Sequence, residues 1–138
     1  MIVLDTNIIS ESFDGRIHSP VFDWLDAHDG DLFLTSITIA ELVYGAELLA
    51  EGKRKRAFQD RIDQIVSDYE GHRLAFGDEA AYLYGLISAK RKKAGHAMET
   101  KDAMIAAICL SHGATLATRN VKDFEGLDLP LINPFEGP

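Results

Sequence analysis

Cysteine is almost absent from this 138-residue chain, which carries only Cys109. One thiol excludes an internal disulfide and agrees with a reducing, cytoplasmic setting. Cys109 lies in the apolar stretch Ala103–Leu110, where it reads as a small core residue. The five histidines, His18, His28, His72, His96 and His112, show no metal-ligand spacing, so nothing suggests a zinc centre. No apolar run approaches the roughly 20 residues needed to span a bilayer. The N-terminus has no basic region and opens directly on an apolar run, so no signal peptide and no membrane role are expected. Repeats, low-complexity segments and linkers are missing too. A single domain over 1–138 is therefore expected.

What is present is an ordinary globular composition, 46% hydrophobic and 26% charged, enough to bury a proper core. The net charge of −8 weighs against a general nucleic-acid binder. Its distribution weighs the other way. Eight of the 14 Lys and Arg fall in two tetrads, Lys53-Arg54-Lys55-Arg56 and Lys90-Arg91-Lys92-Lys93. Such runs form solvated helix ends, or a basic rim that holds phosphates around an acidic centre.

The chain is organised around its opening. Ile2, Val3 and Leu4 read as a buried parallel strand, which stops at once on Asp5, Thr6 and Asn7. A strand of that kind delivers its carboxylate to the rim of the sheet, where open α/β sheets bind ligands. Beyond it we expect a helical turn over Ile8–Ser12 and a break at Gly15. A helix over Pro20–His28 should start from Ser19 as cap, and Asp31–Ser36 should be a second strand. Helices are expected from Thr38 to about Ala50 and from Lys53 to about Tyr69. His72–Phe76 reads as a third strand. Asp78 should cap a helix reaching Lys93, with Ala81, Leu83, Tyr84, Leu86 and Ile87 turned inward and Gly95 as its stop. Thr100–His112 reads as a nearly all-apolar helix closed by Gly113. Ala114–Thr118 is expected as the fourth strand and Leu129–Ile132 as an edge strand, since Pro130 lacks a donor. Alternating strands and helices imply a mostly parallel sheet of about five strands, covered on both faces.

Three acids stand at the mouths of these elements. Each has a purely structural reading. Asp5 caps the helix after it, Glu41 completes a capping box begun by Thr38, and Asp102 favours the dipole of a helix's first turn. The alternative comes from their surroundings. Carboxylates at the ends of three buried elements would converge on one pocket, and their repulsion would then call for a cation. Ligands that offer only oxygen favour Mg²⁺ or Mn²⁺. Such an ion suits phosphodiester hydrolysis.

Four segments in order carry a family resemblance: Ile2-Val-Leu-Asp5-Thr6-Asn7-Ile-Ile-Ser10-Glu11, Thr38-Ile-Ala-Glu41-Leu42, Lys101-Asp102-Ala-Met-Ile-Ala-Ala107, and Leu116-Ala-Thr118-Arg119-Asn120-Val-Lys-Asp123-Phe124. Together the chain resembles the PIN-domain ribonucleases, and among them the VapC-type toxins of toxin–antitoxin pairs. The resemblance implies a three-layer α/β/α sandwich and an Mg²⁺- or Mn²⁺-dependent endoribonuclease. It makes Asp5, Glu41 and Asp102 the metal-site acids and Thr6 a polar supporter. Many relatives carry Asp where this chain has Asn120; Asp123, three residues on, either reaches inward or stays an exposed loop acid. Glu99 is a further loop acid beside the site. The basic tetrads and Arg119 are the candidate RNA contacts. The resemblance also implies a homodimer and a small antitoxin whose tail covers the acidic site, often with an Arg.

Two other classes remain open. A phosphatase with an aspartyl nucleophile needs a second Asp two residues after the first, and here that residue is Asn7. A non-catalytic module, receiver-like or a decayed relative of the nucleases, would use an acidic pocket without hydrolysis. The neighbouring gene would discriminate: a short upstream frame for a DNA-binding antitoxin favours the toxin.

Overall fold

The computed structural model describes residues 1–13 and 19–136. Its centre is β1 (Ile2–Leu4), whose three residues are all buried. Ile2 and Leu4 face one core cluster and Val3 the other, so both faces of the strand are covered. That explains the unbroken apolar run, since a strand wetted on one face would alternate. β2 (Leu32–Thr35), β3 (Arg73–Leu74), β4 (Thr115–Ala117) and β5 (Leu131–Ile132) complete the sheet in the order β3-β2-β1-β4-β5. Every pairing is parallel.

Helices α1 (Thr6–Phe13), α2 (Ser19–Ala27), α3 (Ser36–Glu47) and α4 (Lys53–Asp68) give side chains to the cluster around Ile2 and Leu4. On the opposite face lie α5 (Asp78–Lys93) and α6 (Thr100–Ser111). The result is a three-layer α/β/α sandwich. In α6, Ala103 is buried and the run Ile105–Cys109 has no measurable exposure at any residue, so this helix is the most deeply buried of its layer. Cys109 is a core residue, as expected. No helix here is long and apolar enough to cross a membrane among the described residues.

Several local expectations change. α1 begins at Thr6, directly after Asp5, and is longer than the expected turn; Gly15 lies outside the described residues. α2 already includes Ser19, so the residue preceding it is also outside them. α3 starts two residues earlier than Thr38, with Thr35 as N-cap: its Oγ1 accepts from the backbone N–H of Thr38 at 3.1 Å. The expected capping box between Thr38 and Glu41 therefore does not exist, and Glu41 sits in the second turn, released for other contacts. α3 also ends at Glu47, which leaves Leu48 69% exposed rather than packed. Gly77, not Asp78, holds the N-cap position of α5; Asp78 is in the first turn, where its charge suits the helix dipole. Ala81 and Leu86 of α5 point outward, while Ala80 takes the inward place. β3, β4 and β5 are shorter than the stretches that announce them: pairing is confined to Arg73–Leu74, Thr115–Ala117 and Leu131–Ile132. Gly95 (φ 80°) and Gly113 (φ 62°) end α5 and α6 in the left-handed region, as their positions predict. β5 is an edge strand, and the Pro130 carbonyl accepts from Leu116 N–H at 2.9 Å while its missing donor costs nothing.

Candidate active site

In the order β3-β2-β1-β4-β5 the chain leaves β1 in one direction for β2 and returns on the other side for β4. The cleft between the carboxyl ends of β1 and β4 is the switch point where such sheets bind ligands. Asp5 ends β1 and Thr118 ends β4 in that cleft. The backbone N–H of Asp5 donates to Ala117 O at 2.9 Å, which fixes the two ends side by side. Thr118 Oγ1 then donates to Asp5 Oδ2 at 2.8 Å, Asn7 Nδ2 donates to the same oxygen at 3.2 Å, and Thr6 N–H donates to Oδ1 at 2.8 Å. Asp5 is thus buried, oriented and partly satisfied, with acceptor capacity left over.

Glu41 reaches the cleft from α3. Its Oε1 accepts from Thr6 Oγ1 at 2.9 Å. Thr6 Oγ1 in turn shares a 2.9 Å bond with Thr38 Oγ1, which lies 3.5 Å from Thr35 Oγ1. Since each hydroxyl has one proton, the chain runs Thr35 to Thr38 to Thr6 to Glu41, with every donor aimed toward the carboxylate. Thr35 and Thr38 are fully buried. Asp102 comes from the first turn of α6, after Glu99 as N-cap.

These acids feel one another. Burial is the main force raising the Asp5 carboxyl above its usual range, partly offset by the Thr118 and Thr6 bonds and reinforced by Asp123 and Glu99. Burial likewise raises Glu41, against the Thr6 bond and the nearby Lys101. Asp102 is pushed furthest, up to about 7, first by burial and then by repulsion from Asp5, Glu99, Asp123 and Glu41. A pocket that drives a carboxyl that high is short of positive charge. Among the described residues, no three His, Cys, Asp or Glu form a ready-made metal cage. The donor set still fits a hard divalent ion that keeps several of its waters and takes only one or two carboxylates directly.

The fourth position splits. Asn120 is exposed, and it is its backbone N–H, donating to Thr118 Oγ1 at 3.0 Å, that is tied to the site. Asp123 lies in a 3-10 turn, Val121–Phe124, anchored by the buried Phe124, and its charge is felt at both Asp5 and Asp102.

The basic residues separate in a way their spacing did not show. Lys55 is only 7% exposed, and its Nζ is tied to Glu51 Oε1 at 2.6 Å and Glu47 O at 3.4 Å, so it is withdrawn from any surface role. Lys53, Arg54 and Arg56 remain exposed, as do Lys90, Lys92 and Lys93. Arg91 bends back: its Nε donates to His96 O at 2.8 Å, and a terminal nitrogen reaches Asp123 O at 3.4 Å and Glu125 O at 3.2 Å. Arg119 pairs with Glu11 and lies 4.0 Å from the Phe135 ring centroid. Arg91 thus ties α5 to the loops on either side of α6, and Arg119, which stays exposed, ties the end of β4 to α1. Reasoning from sequence missed Thr118, Asn7, Thr35 and Thr38 as the groups that orient Asp5 and Glu41. Polar residues at the carboxyl ends of buried strands were the available signal.

The family model for the PIN domain matches residues 2–128. The chain belongs to the PIN-domain family. It is 38% identical over 138 residues to the VapC ribonuclease Y4jK of Sinorhizobium fredii, covering 99% of both chains. To the toxin FitB of Neisseria gonorrhoeae it is 36% identical over 137 residues, covering 98% of this chain and 99% of that one. A solved structure of FitAB bound to an IR36 DNA fragment overlays with a TM-score of 0.91 at 36% identity, covering 98% of this chain and 96% of that one.

Proposed function

We propose that this PIN-domain protein is an endoribonuclease that hydrolyses RNA phosphodiester bonds with Mg²⁺ or Mn²⁺, and that it acts as the toxin of a toxin–antitoxin pair. The observation that carries the reading is the gathering of Asp5, Glu41 and Asp102 beside the β1/β4 switch point, where burial and neighbouring acids raise all three carboxyls. Relatives named as a ribonuclease and as a toxin, matched over nearly their whole length, support the substrate and the biological role.

In this reading Asp5 and Asp102 hold the ion, with Glu41 completing the acidic set. A bound divalent ion supplies positive charge to the phosphate oxygens and lowers the pKa of water at the site. The protein's own groups do the rest. Thr118 and Asn7 fix the Asp5 carboxylate, so its free lone pairs keep one direction. The Thr35–Thr38–Thr6 hydroxyl chain orients Glu41 and stabilises its charged form. Asp123, rather than Asn120, supplies the fourth negative charge. The remaining exposed Lys and Arg form the phosphate-holding rim, while Asn7, spent on Asp5 and on the Arg119 N–H at 3.3 Å, cannot serve as the second acid of an aspartyl phosphatase. The whole chain acts as one domain in the cytoplasm. A small antitoxin covers the site, and exposed apolar residues on α3 and α5, Tyr44, Tyr82 and Leu86 among them, support pairing of two copies.

Expression in a bacterial host tests this. Wild-type protein should arrest growth and leave cut RNA, and Asp5→Asn should do neither while accumulating to the same level. Arrest by both forms would show that the acidic site is not the toxic activity.

A further inference from the structure

A groove of about 340 Å³ runs from the acidic site between α1, α3 and α4. At its inner end stand Thr6 and Glu41, and its walls are apolar, with Leu42, Leu49 and Ile62 among them. At the outer end the rings of Phe13 and Phe58 stack, 5.5 Å between centroids and 26° from parallel. Two guanidiniums flank this pair: Arg54 lies 5.4 Å from the Phe58 centroid and Arg61 5.9 Å from that of Phe13. Both lie on α4, and a second hollow, of about 300 Å³, continues between them. None of these contacts is needed to build the acidic site.

We propose that this groove seats a nucleoside of the RNA beside the cleaved bond, with its base against the Phe58 end of the slot and Arg54 and Arg61 on the next phosphates. The proposal rests on the ribonuclease reading above and names a substrate subsite within it. A phosphodiester bound at the acidic site must continue as a nucleoside on each side, and the groove is the apolar path that opens beside Glu41 and Thr6. A base is flat with an apolar π-face, which matches aromatic and aliphatic walls, and such stacking tolerates any sequence. The charge also matches. In a chain of net charge −8 the outer end of this groove presents two arginines, complementary to a polyanion. An acidic peptide would meet the same arginines but would bring further carboxylates against Glu41 at the inner end.

The test is steady-state cleavage of a mixed-sequence, single-stranded RNA bearing a fluorophore and a quencher, with Mn²⁺ and the full chain. Phe58→Leu keeps an apolar side chain and removes the π-face; Arg54→Gln is an exposed change that leaves the core intact. Each should raise KM by about fivefold or more, the scale of one stacked base or one phosphate contact, with kcat nearly unchanged; Arg54→Gln should also keep the wild-type melting temperature, whereas Phe58→Leu, which loses the stack on Phe13, should melt somewhat lower. Arg54→Gln should also flatten the salt dependence of kcat/KM by a slope of about 0.7, the value for one phosphate of a single strand. Unchanged KM in both variants, with wild-type cleavage intact, overturns the subsite and leaves the nuclease reading standing. The subsite is equally overturned if the variants lose only the capture of the antitoxin, which would make the groove a protein seat. Absence of cleavage by the wild type overturns the nuclease reading itself, and the subsite with it.

Discussion

Asp102→Asn in metal-free buffer isolates the electrostatic strain of the acidic pocket. A free aspartate titrates near 3.8, whereas Asp102 is pushed up to about 7. An acid whose folded pKa is raised holds its proton more tightly in the folded protein. It therefore opposes folding as pH rises: the penalty is absent below about 3.8, grows between 3.8 and about 7, and is complete above. Taken at full value the gap would correspond to about 4 kcal/mol at 1.36 kcal/mol per pH unit. Asp102 is only half-buried, and solvent screening reduces this to roughly 1–2 kcal/mol. Asn keeps the size and the first-turn position but loses the charge. With chelator at pH 8, Asp102→Asn should melt roughly 3–8 °C higher than wild type, and the difference should vanish by pH 4. Mg²⁺ should reverse the order, because it stabilises only the protein that binds it. A variant that melts at or below the wild-type temperature at pH 8 without metal would refute the claim that burial and repulsion load this site.

Other outcomes follow from the same geometry. Calorimetric titration with Mn²⁺ should show Asp5→Asn binding about 10–100-fold more weakly or not at all, since even partners behind a metal ligand cost that much; unchanged affinity would remove Asp5 from the ion. Replacing Lys90, Lys92 and Lys93 together by Gln should reduce the salt slope of RNA binding by about 2, and an unchanged slope would make them a solvated rim only. Arg91→Ala should lower kcat more than it raises KM, because the arginine ties the Asp123 loop to the turn before α6; a change confined to KM would make it an RNA contact.

Much of the fold was readable because burial speaks directly in composition. Ile2-Val3-Leu4 followed by Asp5 gives the central strand and its functional end, and the apolar α6 gives the depth of Asp102. Glu41 stands out in the sequence for a partly wrong reason. Thr35, Thr38 and Glu41 are each three residues apart, so spacing alone cannot say which threonine caps α3; only the structure shows that Thr35 does and that Glu41 is released to meet Thr6. Thr118 is 113 residues from Asp5, and their bond exists only because β4 pairs with β1. The fates of Lys55, Arg91 and Arg119 were hidden likewise. Charge runs record which residues are basic, while loop carbonyls and Glu47, Glu51 and Glu11 decide where each one points.

The most direct measurement is the rate of RNA hydrolysis by the purified full chain with Mg²⁺, comparing wild type with Asp102→Asn at equal folded concentration. Metal-dependent hydrolysis at the acidic site predicts cleavage by the wild type that stops with excess chelator, and a loss of at least about 100-fold in the variant, the scale seen when a group stabilising the transition state is removed. Cleavage by Asp102→Asn at the wild-type rate, or wild-type cleavage that persists in chelator, would contradict it.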